Sequence, residues 1–123
     1  MLDINKAEEF VKSKNITSIS TSQIRKFLSA VNKINNKVKY QNDSEELSND
    51  IVDEIAYMRV QFAYIVGKNK TKGDGILKKS MEELYNKLEP AMAEIKTSKA
   101  AFINFARYVE AIIAYHKFYG GKE

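Results

Sequence analysis

Five cations stand between residues 21 and 42, namely Arg25, Lys26, Lys33, Lys37 and Lys39, with no Asp or Glu among them. Lys26, Lys33 and Lys37 are spaced by seven and four, so on a helix they share one edge, with Arg25, Ser29, Asn32 and Asn36 forming a polar row beside it. Cations flanked by amides and hydroxyls suit the phosphates and sugars of a polyanion, contacts that carry no base sequence. A second cluster, Lys68, Lys70, Lys72, Lys78 and Lys79, faces the single acid Asp74. By contrast, Asp43, Glu45, Glu46, Asp50, Asp53 and Glu54 crowd residues 43–54 without a base, so the net charge of +4 hides strong segregation. A plainer alternative is that the lysines form a solvated helix face or pair with that acidic segment. Exposed pairs contribute only about 0–1 kcal/mol each, so stability does not account for the segregation.

Catalytic chemistry has little to work with. There is no cysteine, which removes disulfides, thiolate metal sites and cysteine nucleophiles, and His116 is the only histidine. His116 lies four residues before Gly120 and reads as a packing or helix-terminal histidine. Asp50 and Asp53 share a helix face and could in principle hold a metal for a nuclease, but acids three apart are ordinary on solvated faces. The segment Gly67–Gly75 is rich in lysine yet lacks the Gly-Lys-Ser/Thr ending of a phosphate-binding loop. The expectation is a protein that is not an enzyme and needs neither cofactor nor metal.

Helical spacing supplies the frame for these residues. Residues 2–14 could form a short helix on Ile4, Phe10 and Val11, and residues 1–19 as a whole are weakly specified. Ser20 and Gln23 have the spacing of a capping box, with Ile19 and Ile24 placed as a hydrophobic staple. Ile24, Phe27, Leu28, Val31, Ile34 and Val38 then make one apolar stripe, ending near Lys39. Asp43 with Glu46 reads as the next cap, Leu47, Ile51, Ile55, Met58, Phe62 and Ile65 as the next stripe, and Gly67 as its C-terminal glycine. Residues 67–75 read as an exposed loop. Asp74 opens a fourth helix on Ile76, Leu77, Met81, Leu84, Tyr85 and Leu88, with a break or kink expected near Glu89 because Pro90 follows, and a short piece over 91–96.

The last helix starts near Thr97 or Ser98, runs to about Tyr119 and is stopped by Gly120-Gly121. Phe102, Phe105, Ala106, Val109, Ile112, Ile113 and His116 form one stripe, and Tyr108, Ala111, Tyr115, Phe118 and Tyr119 widen it beyond a single face. Such a helix is central in its bundle or carries a second contact surface. Tyr108, Tyr115, Phe118 and Tyr119 are the candidates for a subunit interface.

With 123 residues, 44% hydrophobic and 29% charged, one proline and five glycines, the chain fits one all-α domain, a compact bundle of about five helices. A domain of this size buries roughly two-thirds of the surface its unfolded form exposes. No apolar run approaches the roughly 18 residues that cross a membrane, and the start lacks a signal-peptide pattern, so a cytoplasmic location is expected.

Three segments together carry a resemblance: Thr21-Ser22-Gln23-Ile24-Arg25-Lys26-Phe27, Tyr64-Ile65-Val66-Gly67-Lys68, and the run from Phe105 to Gly121, the most specific of them. From about residue 20 the chain is similar to the small subunit of the type III-A CRISPR effector, the second protein of the Csm complex. The resemblance implies a helical bundle without catalytic activity, copies of which stack inside a ribonucleoprotein filament beside the subunits that carry the guide RNA. It implies contact with the guide–target duplex, mainly the target strand, while cleavage and signalling chemistry belong to other subunits. Family members commonly carry Arg where this chain has Lys68, and lysine keeps the charge without the bidentate fork. The expected RNA contacts are Arg25, Lys26, Lys33 and Lys37, then Arg59, Lys68 and Arg107. Arg59 could instead serve as an ion-pair partner. Expected partners are target RNA and guide RNA (crRNA), the other subunits of the complex and copies of the chain itself, as a homodimer when isolated. The alternative is a helical protein–protein adaptor with no RNA binding of its own.

Overall fold

The computed structural model describes residues 2–41, 45–70 and 75–122, except for the side chains of residues 69 and 70. Five α-helices are found among them: α1 (Ala7–Ser13), α2 (Thr21–Tyr40), α3 (Asn49–Lys70), α4 (Gly75–Ile95) and α5 (Lys99–Phe118). The 3-10 turns Ile4–Lys6 and Ile16–Ser18 flank α1. The described residues contain no strand, only an isolated antiparallel bridge between Glu46 and Ser98.

The start of α2 follows its sequence. Ser20 Oγ accepts from the Gln23 N–H at 3.2 Å, and the Ser20 N–H donates to Gln23 Oε1 at 2.9 Å. Ile19 and Ile24, the two ends of the staple, are both buried. At α3 the cap differs from expectation. Asp43 lies outside the described residues, Glu46 sits in the bridge, and Ser48 Oγ accepts from the Ile51 N–H at 3.4 Å. Gln41 spans this junction, donating to the Glu46 carbonyl at 2.8 Å and accepting from the Ser48 N–H at 2.9 Å.

Gly67 does not end α3, which continues to Lys70. The only glycine with positive φ among the described residues is Gly120, so Gly67 takes ordinary helical geometry. Asp74, expected to open α4, lies outside the described residues. Nor does Pro90 break α4, which is continuous through it. Proline removes one helical hydrogen bond, to the carbonyl four residues back. Here that carbonyl belongs to Asn86, an exposed residue, as is Pro90 itself. Leu84, Leu88, Met92 and Ile95 stay on one buried stripe across the proline.

The packing neighbours are α2 with α3, α3 with α4, α4 with α5, and α5 with α2, a four-helix ring with α1 laid on α5. Rings from all four helices meet inside it. Phe27 stacks on Phe62 at 4.1 Å between centroids, Phe62 meets Tyr85 at 5.5 Å, and Phe27 meets Phe105 edge-on at 6.4 Å. Phe27 opposite Phe62 and Lys37 opposite Glu54 fix α2 and α3 as antiparallel.

The N-terminal segment has a definite task. Ala7, Phe10 and Val11 of α1 are buried against α5, covering the face that its sequence left apolar. Tyr108 is accordingly 1% exposed and belongs to the core, which corrects its expected place in a subunit interface. Burial, with a smaller contribution from Asp3, pushes its phenol up to about 12.

The chain end is threaded back onto α2. Gly120, at φ +74°, gives its N–H to the Lys117 carbonyl, and Gly121 gives its own to His116, the paired bonds of a Schellman turn. The Lys122 N–H then meets the Thr17 carbonyl at 2.9 Å, and the Lys122 carbonyl accepts from the Thr21 N–H at 2.7 Å, satisfying a donor in the first turn of α2. His116 is buried under this hook, with Nε2 2.7 Å from the Ile19 carbonyl, so that nitrogen carries the proton. A Cβ on Gly121 would overlap the His116 ring, whereas one on Gly120 meets nothing within 4 Å. Gly121→Ala should therefore cost about 1–3 kcal/mol as an overpacking change, lowering the melting temperature by about 5–10 °C. Thermal unfolding checks this, and a variant melting with the wild type would mean that the hook is not seated.

Candidate nucleic-acid interface

The expected RNA contacts divide among three places. Lys26 and Lys33 of α2 line a groove of about 300 Å³ against α3, together with Ser29, Glu54, Tyr57 and Gln61. Both lysines are exposed and make no ion pair among the described residues. Lys37 lies next along this edge and is paired with Glu54. That pair neutralises the one acid in the groove. Arg25 is exposed one residue round the helix from Lys26. Lys68 is exposed near the end of α3, on the row that Tyr57, Gln61 and Tyr64 define by their spacing.

Arg107 is elsewhere. It lines a groove of about 400 Å³ between α2 and α5 with Lys39, Lys99, Asn35 and Glu110. Glu110 makes no ion pair among the described residues, so its charge opposes an anion there. Arg59 is further removed, between α3 and α4, where Nε donates to Glu89 Oε1 at 3.1 Å and a terminal nitrogen pairs with the same oxygen. The hydrogen bond to Glu89 is the main cause that holds its guanidinium above the ordinary arginine range. The structure therefore makes Arg59 an ion-pair residue and takes it off the basic edge. A larger hollow of about 620 Å³ beside the Glu46–Ser98 bridge has Glu45 and Glu46 at its rim, which disfavours a polyanion.

A row on α3 lies outside the residues that the sequence singles out. Tyr57, Val60 and Tyr64 are 64%, 63% and 68% exposed, beside the α2–α3 groove. The signal was present: Arg59 is the only formal charge between Glu54 and Lys68, more apolar sequence than one helix face can bury. Of the aromatics expected at a subunit interface, Phe118 is 74% exposed and Tyr119 37%, while Tyr115 is half-buried. The two exposed rings meet edge-on at 5.0 Å, and the Tyr119 hydroxyl donates to Glu8 of α1.

A basic helix edge flanked by amides, in a domain of stacked helices, is what the sequence resemblance led one to expect. Comparison with known proteins decides the family. The family described as Csm2 Type III-A matches residues 2–122. This chain belongs to that family. The Csm2 match begins at residue 2 and so takes in the N-terminal segment, which adds nothing to the resemblance from sequence motifs. The protein is similar to the "CRISPR system Cms protein Csm2" of Streptococcus thermophilus, with 34% identity covering 98% of this chain and 93% of that one. It is similar to the protein of the same name from Enterococcus italicus, at 30% identity over 97% and 90% of the two chains. For the Mycobacterium tuberculosis Csm2 proteins the identity is 28%, over 91% and 84%. Membership makes the chain the small subunit of a type III-A CRISPR effector, a component of a Csm complex with other subunits. No helix among the described residues is long and apolar enough to cross a membrane.

Proposed function

We propose that the chain is a non-catalytic RNA-binding subunit, copies of which stack along the effector filament and hold the backbone of the target strand in the guide–target duplex. The observation that carries this is the α2–α3 groove, where Lys26 and Lys33 stand exposed and without acid partners, and where the only acid is already paired with Lys37. Arg25 and Lys68 extend the same surface, and Arg107 with Lys39 and Lys99 offers a second, weaker contact on the other side of α2. Lysines beside Ser29 and Gln61 suit phosphate and ribose, as binding to many target sequences requires. Weak contacts from each copy suffice because linked copies gain avidity. Phe118, with Tyr119 and Tyr115 behind it, is the surface offered to a neighbouring subunit or a second copy.

A labelled single-stranded RNA of about 40 nucleotides, titrated with the purified chain across a salt series, tests the RNA assignment. Three neutralised phosphates give a slope of log affinity on log salt near −2, at roughly 0.7 per phosphate on a single strand. Absence of binding at low salt would leave the chain as a protein-contacting scaffold.

A further inference from the structure

The phosphate-binding groove leaves the neighbouring row of α3 without a task. Tyr57, Val60 and Tyr64 are mostly exposed, and neither tyrosine ring stacks on another ring or makes a hydrogen bond among the described residues. Folding therefore does not account for two aromatic rings on the surface. We propose that Tyr57 and Tyr64 are stacking faces for unpaired nucleobases of the RNA strand whose phosphates lie on Lys26 and Lys33, an inference that rests on the RNA-binding assignment above.

Charge and geometry favour this occupant. The groove joins the two chemistries directly, since Lys26, Lys33, Tyr57 and Gln61 line one hollow. Phosphates held on the α2 side leave the bases pointing across to α3. Between Glu54 and Lys68 α3 carries no acid, and its only charge, Arg59, is turned away to Glu89. From Tyr57 to Lys68 the row therefore holds no negative charge. Every base has a π face, so stacking on tyrosine is tolerant of sequence, as the backbone contacts are. Seven residues of helix separate the two rings by about 10.5 Å along the axis. That is too far to sandwich one base, so each ring takes a base of its own. Gln61, between them in the row, can meet a base edge. A base inside a duplex has both faces occupied, so the tyrosines select bases turned out of the stack.

The test compares the full chain with Tyr57→Leu/Tyr64→Leu, which keeps apolar area and removes the rings, and with Tyr57→Phe/Tyr64→Phe, which keeps them. The probes are a single-stranded RNA and an abasic ribose-phosphate strand of the same length. The leucine variant should bind RNA about tenfold more weakly with the salt slope unchanged, and bind the abasic strand as the wild type does. The phenylalanine variant should retain RNA binding. Because the chain has no tryptophan, its tyrosine emission should be quenched by RNA, and less so in the leucine variant. Equal RNA affinity of leucine variant and wild type, with Lys26→Glu/Lys33→Glu still impaired, overturns stacking and leaves the groove. If neither pair of changes affects RNA binding, the RNA assignment itself fails. A leucine variant that loses self-association while keeping RNA affinity assigns the row to a protein contact instead.

Discussion

Phe62→Ala should destabilise the fold by about 3–5 kcal/mol, the range for removing a fully buried phenylalanine. Phe62 is 1% exposed, stacks on Phe27 and meets Tyr85, and so links α2, α3 and α4 through one ring. The loss has two parts: apolar contact area, and a cavity that four packed helices cannot close. Domains are stable by only about 5–15 kcal/mol, so the loss is a large fraction of the whole. For this length the melting temperature should fall by about 10–20 °C. Gln61, one residue away and exposed, is the control. Gln61→Ala should stay within about 0.5 kcal/mol, because the helix turns that position outward beside the α2–α3 groove. Chemical denaturation of both variants checks the contrast. Equal stability of the two would mean that α3 is rotated from the described orientation.

The second large effect is on binding. Lys26→Glu/Lys33→Glu replaces the two groove cations that have no acid partner. A charged donor to phosphate contributes on the order of 1.5 kcal/mol net. Two such contacts amount to on the order of 3 kcal/mol, about a hundredfold in affinity. The salt slope should shrink by about 1.4, two phosphates at roughly 0.7 each. Folding should be unaffected, since both side chains are exposed. Lys37 is a poorer target. Its reversal would set two carboxylates against each other where the Lys37–Glu54 pair now stands, mixing a folding effect with a binding effect.

Locally coded features were legible in the sequence. The capping box at Ser20 and Gln23 and the stripe from Ile24 to Val38 depend on residues within a few turns, and both stand as expected. The all-helical bundle follows from five such segments. What was misread depended on distant partners. Pro90 follows a local rule that packing overrides, because the stripe on either side of it is held against the bundle, and α3 runs through Gly67 to Lys70. Tyr108 looked available because its cover, α1, lies about a hundred residues earlier in the chain. For Arg59 the sequence leaves two readings, RNA contact or ion-pair partner, and Glu89, thirty residues on, decides for the pair. The aromatic row on α3 escaped notice for a related reason. A helix apolar on most sides does not say which side the bundle will leave uncovered.

The most direct measurement is the titration of one labelled single-stranded RNA with the wild-type chain and with folded Lys26→Glu/Lys33→Glu, side by side across a salt series. RNA binding at the α2–α3 groove predicts salt-sensitive binding by the wild type, with a slope near −2, and a loss of about a hundredfold with a flattened slope in the variant. Equal affinity and equal slope for the two proteins would contradict it, because the α2–α3 groove would then carry none of the RNA.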